Sequence, residues 1–210
     1  MTLPNRDARV KWAIDSPSRD ETEHRYDAWA TEYDADLQAY GYRSPSIAAG
    51  LIGRYIPQDA APLLDAGAGT GNMGQVLTLL GHPDITAIDL SEGMLRVAMQ
   101  TGAYREARQM ILGEHLDFPD NHFAGMVCLG TFVGGHAPVE SLNELIRIVQ
   151  PGAHMIFTVR NDVVAQFKPA MDAHQEAGRW QFIEVTEPYY SVPGSDDPHG
   201  TNQLFVYRVN

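Results

Sequence analysis

The chain has 210 residues, of which 44 % are hydrophobic and 20 % charged. That balance excludes a dominantly disordered polypeptide and suits one domain with elaborations. Its 27 acidic against 15 basic side chains give a formal charge of −12, so phosphate backbones and anionic membrane surfaces are repelled.

No run approaches the ~20 apolar residues that a bilayer span needs. The opening MTLPNRDARVKWAIDSP has no apolar signal core. The single cysteine, Cys128, leaves no internal disulfide and no thiolate zinc cluster, and a reducing cytoplasm fits. Residues 1–20 read as polar and irregular. Over residues 21–40, Tyr26, Trp29, Tyr33 and Leu37 recur at steps of three, four and four, one face of an amphipathic helix. Residues 1–45 are therefore expected to form a helical lid segment ahead of a domain over 46–210. SIAAGLIGRYI reads as a second helix closed by Pro57.

The middle of the chain alternates. LLDA is a short buried strand ending in GAGTGNMG, and QVLTLLG is a helix stopped at Gly81. ITAID is a strand, and SEGMLRVAMQ a helix with Ser91 as its N-cap. RQMIL, GMVCLG and HMIFTV are further strands, with VESLNELIRIV a helix between the last two. Such alternation predicts a Rossmann-like α/β fold with a doubly wound, mostly parallel sheet. In the tail, WQFIEVTEPYY and NQLFVYRV read as two strands joined by a hairpin-like VPGSDDPHG, with no helix between them. A seven-stranded sheet ending in an antiparallel strand is expected.

The chemistry concentrates in Leu64-Asp65-Ala66-Gly67-Ala68-Gly69-Thr70-Gly71. Glycines there let a ligand approach the backbone and permit positive φ. Asp89, twenty residues after Gly69 and at the end of the second strand, can take both hydroxyls of a ribose. Gly69 to Gly74 also satisfies G-x-G-x-x-G, the dinucleotide pattern. A carboxylate at Asp65 opposes a pyrophosphate and suits a ligand with an amino or sulfonium group, as in S-adenosylmethionine.

At this point the chain resembles the class I S-adenosylmethionine-dependent methyltransferases over about residues 22–162. LLDAGAGTG resembles the family's first motif and AIDLSEGML its second. FPDNHFAGMVCLGTF resembles the loop and fourth strand, with Ala124 where an aspartate is usual, and LNELIRIVQPGAHMIFTVRN the helix, turn and fifth strand. YDAWATEYDAD, GTFVGGH and VQPGAHMIFTVRND further resemble a methyltransferase-like subgroup that includes the Williams–Beuren syndrome region methyltransferase-like protein.

The resemblance implies S-adenosylmethionine as cofactor and a set of roles. Asp65 and the backbone of Gly67, Ala68 and Gly69 would contact the methionine moiety, and Asp89 the ribose. Leu90 and Met94 would flank the adenine, Glu114 would meet its amino group, and the His115 amide would meet the ring. The Leu129 carbonyl would accept from the ammonium group. On the lid, Tyr33 would reach the methionine carboxylate or sulfonium, the latter a cation–π contact, while Trp29 packs.

His136 follows the fourth strand at the carboxyl edge of the sheet and can act as a general base. The histidines show no metal-ligand spacing, so no metal is expected. The expected reaction is direct in-line methyl transfer to a small-molecule nucleophile. The alternatives are an NAD(P)-dependent oxidoreductase, on GTGNMG and Asp89 alone, and a non-catalytic cofactor-binding module.

Overall fold

The protein is described here by a computed structural model covering residues 2–195 and 200–210. The apolar runs bounded by glycine and proline become strands, and the segments between them become helices. In chain order these are α1 (Arg6–Ile14), α2 (Arg19–Ala39), α3 (Ser44–Tyr55), β1 (Leu63–Ala66), α4 (Asn72–Leu79), β2 (Ile85–Asp89), α5 (Glu92–Gln100) and β3 (Glu106–Gln109). There follow β4 (Gly125–Phe132), α6 (Ser141–Ile148), β5 (His154–Arg160), α7 (Val164–Glu176), β6 (Trp180–Val185), β7 (Tyr189–Tyr190) and β8 (Thr201–Val209).

The strand order is β3-β2-β1-β4-β5-β8-β6, with the two-residue β7 also paired to β8. The first five strands of that order are parallel. β8 runs antiparallel to β5, β6 and β7. This is the expected Rossmann-like sheet with two differences. β8 is inserted between β5 and β6 rather than closing the sheet, and β7 makes an eighth strand. WQFIEVTEPYY does not run through as one strand, because Pro188 has no N–H for a ladder and residues 186–188 separate β6 from β7. Part of the expected hairpin loop, residues 196–199, lies outside the described residues.

β1 is buried at every position, as a central parallel strand must be. One face of the sheet packs on α6 and α7 through Leu142, Leu145, Phe167 and Met171. The other packs on α3, α4 and α5 through Ile52, Leu77, Leu95 and Ala98. A third cluster, around Trp29, Leu37 and Tyr40, belongs to the N-terminal helices and includes Val192 from the C-terminal part. The helix ends follow from the residues expected to make them: Ser91 starts α5 by accepting a hydrogen bond from Met94 N (3.0 Å), and Gly81 takes φ +93° after α4.

Residues 6–14 correct the expectation of an irregular start. α1 is held by long-range charge: Asp36, buried on α2, accepts from Arg6 (2.9 Å), Arg9 (2.7 Å) and the Trp29 indole (2.8 Å). α7 is likewise absent from the sequence reading, and Pro169 inside it is the reason its helical pattern is obscured. Among the described residues no helix is long and apolar enough to cross a membrane.

Candidate active site

In an open α/β sheet, ligands bind beyond the carboxyl ends of the strands where the order reverses. Here the reversal lies between β1 and β4. A cavity of about 520 Å³ opens there, within the range of cofactor and small-molecule sites.

Tyr33, Gly67, Gly69, Asp89, Leu90, Met94, Glu114, Leu129 and His136, nine of the twelve residues singled out in the sequence, line this one cavity. Gly67 and Gly69 have φ of +72° and +54°. A Cβ on Gly69 would meet nothing within 4 Å and would project into open space, whereas one on Gly67 would lie 2.1 Å from Thr131 Oγ1. The two glycines therefore serve different ends: one keeps the cavity clear, the other lets the turn close on β4.

Asp89 ends β2 and is fixed by two backbone donors, Gly69 N (2.8 Å) and Ser91 N (2.9 Å). Burial pushes its carboxyl above the ordinary range, and the amides of Ser91, Gly69 and Leu90 work against that rise. Its remaining acceptor sites suit a pair of hydroxyls. Leu90, Met94, Met110, Ile111 and Leu112 form an apolar slot beside it, the surroundings a flat base wants.

Three of the expected residues, Asp65, Ala68 and His115, lie outside the cavity lining. Asp65 is buried and does not line the cavity: its carboxylate accepts from the Tyr104 hydroxyl at 2.6 Å, and the Tyr104 hydroxyl oxygen in turn accepts from Gly74 N (3.0 Å). Asp65 thus ties the end of β1 to the residue before β3's approach and to α4. The Ala68 amide donates to the Ile88 carbonyl (3.0 Å), as does that of Gly67 (2.8 Å). With Gly69 N on Asp89, no amide from Gly67 to Gly69 is free to contact the ligand. His115 lies outside the lining, its imidazole turned to Glu144 at 2.9 Å. Glu114 does line the cavity, and its carboxylate is bridged to Arg19 of α2 at 2.5 Å.

Burial of Asp65 raises its carboxyl to about 7, with the Tyr104 hydrogen bond opposing the rise and Asp89 adding to it. A carboxyl raised in the fold stabilises it fully below its unfolded value, and that stability is lost as pH climbs through the folded value. Each unit of pH between about 4 and 7 therefore removes about 1.4 kcal/mol at most. Urea midpoints of the ligand-free chain should fall over that window, and Asp65→Asn should flatten the fall. Parallel curves for the two proteins would contradict the assignment.

α2 spans the cavity and is docked by carboxylates. Asp27 accepts from Ser91 Oγ (2.6 Å) and Gly93 N (2.7 Å) at the start of α5. Asp34 accepts from Thr70 Oγ1 (2.5 Å) and Asn72 Nδ2 (2.8 Å) at the start of α4. These contacts lay Tyr26 and Tyr33 over the ligand space, with Tyr33 edge-on to Trp29 (4.7 Å). Trp29 packs, as its position in the helix pattern suggested. Tyr26 is the functional candidate that sequence reasoning placed only in a packing stripe. The signal was present, since it sits seven residues before Tyr33 on the same helix face.

The donor set bears on which cofactor fits. A pyrophosphate needs free N–H groups at a helix N-terminus. Here the amides of Gly67, Ala68, Gly69, Gly71 and Gly74 donate within the protein, and the Asp34 carboxylate at the start of α4 opposes a phosphate there. A nucleoside with hydroxyls for Asp89, a base for the apolar slot and a positively charged tail fits the residues present. Among the described residues, no group of three or more His, Cys, Asp or Glu is placed to hold a metal ion.

Comparison with known proteins agrees with this geometry. Residues 64–157 match a family described as a methyltransferase domain. The chain is 31 % identical over 188 residues to methyltransferase-like protein 27 of Homo sapiens, covering 86 % of this chain and 76 % of that protein. Among solved structures, the [4+2]-cyclase SpnF shares the fold at TM-score 0.71 and 15 % identity, over 92 % of this chain and 97 % of that one. A methyltransferase of Thermotoga maritima shares it at TM-score 0.62 and 16 % identity, over 89 % and 99 %. The sulfonium nucleoside is thus favoured over the dinucleotide, and the chain belongs to the S-adenosylmethionine-dependent methyltransferases, with S-adenosylmethionine as its cofactor.

Proposed function

We propose that the protein transfers a methyl group from S-adenosylmethionine to a small-molecule nucleophile by direct in-line displacement. The observation that carries this reading is the one cavity that Asp89 and its apolar slot share with Tyr26 and His136. Asp89 holds the ribose hydroxyls, and Leu90 and Met94 flank the adenine. Gly67, Gly69 and Leu129 present backbone to the amino-acid tail, and Tyr33 covers it. Asp65 acts one step back, by holding the glycine turn through Tyr104. Helices α1 and α2 form the lid, fastened by Asp27, Asp34 and the Arg19–Glu114 bridge.

Bound there, the cofactor supplies an electrophilic methyl group on a sulfonium. The protein's part is alignment and exclusion of water, the two effects by which an enclosed site speeds a displacement. The net charge of −12 and a cavity of about 520 Å³ support a small acceptor rather than nucleic acid. Identity to methyltransferase-like protein 27 supports the narrower methyltransferase-like subgroup, and a buried unpaired Cys128 is in keeping with a reducing cytoplasm.

Calorimetry with S-adenosylhomocysteine, set against a fluorescence titration with NADH, tests the reading. S-adenosylhomocysteine should bind one per chain and NADH should not. Tight NADH binding in its place would overturn the proposal, and cofactor binding without turnover on any acceptor would leave a binding module.

A further inference from the structure

His136 lines the cavity where a base is wanted, and each of its ring nitrogens already has a hydrogen-bond partner. Nδ1 lies 3.2 Å from the Gly134 carbonyl. A carbonyl can only accept, so Nδ1 carries the ring proton. The lone pair is then on Nε2, which is 3.1 Å from the Tyr26 hydroxyl. That hydroxyl is the donor, and the two rings meet edge to face with centroids 5.6 Å apart. With Nε2 taken by the Tyr26 hydroxyl, the Tyr26 oxygen is the path by which a proton leaving an acceptor reaches the ring. Tyr26 also walls a second chamber of about 70 Å³ beside Trp29, Tyr33 and Tyr42. An apolar cavity that holds a benzene ring measures about 150 Å³, so this chamber has room for a substituent only.

We propose that Tyr26 and His136 form a proton relay, and that the acceptor is a small molecule methylated on a hydroxyl, an alcohol or phenol. The proposal rests on the methyltransferase reading above. The acceptor O–H proton passes to Tyr26 Oη as the Tyr26 proton passes to His136 Nε2. The acceptor oxygen forms its bond to the methyl carbon, the carbon–sulfur bond breaks, and its electron pair stays on sulfur as a neutral thioether. The imidazolium then releases its proton to solvent.

A relay of this kind is needed only for a group that does not ionise readily near neutrality, which describes a hydroxyl and not a thiol. The surroundings suit it. Burial lowers the His136 imidazole, the Gly134 hydrogen bond works against that and Arg160 lowers it further, so the ring is neutral at neutral pH and keeps the Nε2 lone pair that accepts from Tyr26. Burial raises the Tyr26 hydroxyl, with Asp89 of β2 raising it and Arg160 of β5 lowering it, so Tyr26 shuttles a proton rather than standing as phenolate. Arg160 is itself bidentate to Asp162 (2.8 and 2.5 Å), which offsets its charge.

Nitrogen NMR of the histidine-labelled 210-residue chain should show the His136 ring protonated at Nδ1. Tyr26→Phe removes the donor that favours the neutral ring, so the His136 titration midpoint should rise. On a panel of alcohols, phenols and matched thiols supplied with S-adenosylmethionine, Tyr26→Phe should lower methylation of hydroxyls by about 100-fold. Thiols, already partly thiolate, should lose less than about tenfold. His136→Gln should reproduce that split. A ring protonated at Nε2, a titration unmoved by Tyr26→Phe, or equal losses on hydroxyls and thiols would overturn the relay. Failure of the wild-type protein to bind S-adenosylhomocysteine would overturn the methyltransferase reading instead, while the NMR result still judges the relay.

Discussion

Asp89→Ala should weaken S-adenosylhomocysteine binding by about 100-fold or more, read by calorimetry. A hydrogen bond to a charged group contributes about 1.5–3 kcal/mol, and each tenfold in affinity corresponds to about 1.4 kcal/mol. Two ribose hydroxyls on this one half-buried carboxylate therefore account for the loss. The substitution also orphans Gly69 N and Ser91 N, which the carboxylate fixes at 2.8 and 2.9 Å, so the floor of the site loosens as well. Asp89→Asn keeps an acceptor and should lose less than the alanine variant. A loss below about fivefold in Asp89→Ala would show that the nucleoside lies elsewhere.

Gly67→Ala and Gly69→Ala should part company, although both glycines have positive φ in one turn. At Gly67 the new methyl would lie 2.1 Å from Thr131 Oγ1 and 3.0 Å from its Cγ2. Added to a left-handed backbone penalty of about 1–2 kcal/mol, that overlap should bring the destabilisation to about 3–5 kcal/mol. Gly67→Ala with Thr131→Ala should recover part of it, the mark of direct contact. At Gly69 the new methyl meets nothing within 4 Å. Stability should fall only by the backbone penalty, about 1–2 kcal/mol, while S-adenosylhomocysteine binding suffers from a methyl in the ligand space. Denaturant midpoints and calorimetry on the two variants separate the effects. Equal destabilisation of both would contradict the packing described.

The parallel half of the fold is legible because its signals are local. LLDA, ITAID and GMVCLG are apolar runs cut off by glycine or by a cap, and each became a strand of the same sheet. α1 is not legible, since RDARVKWAI has little apolar pattern and its partner Asp36 lies about thirty residues away. α7 hides behind Pro169, and β8 gives no sign from its own residues that it inserts between β5 and β6.

The site divides the same way. Asp89 and the glycines are positioned by the strand–turn–helix motif that carries them, so motif and geometry agree. Asp65 sits in the same motif, but its carboxylate is claimed by Tyr104, a residue of another loop that no local pattern connects to it. Likewise the bond between His136 and Tyr26 spans 110 positions, and helical spacing alone shows Tyr26 only as one ring in a packing stripe.

The Asp36 arrangement has a bearing on how the molecule can be cut. A carboxylate sealed from water needs its counter-ions, and Arg9 and Arg6 deliver them from the first helix. Trimming the chain ahead of residue 15 would leave the buried Asp36 charge without its two arginines, held by the Trp29 indole, in the helix that spans the cavity. Those leading residues are a structural keystone rather than a dispensable extension.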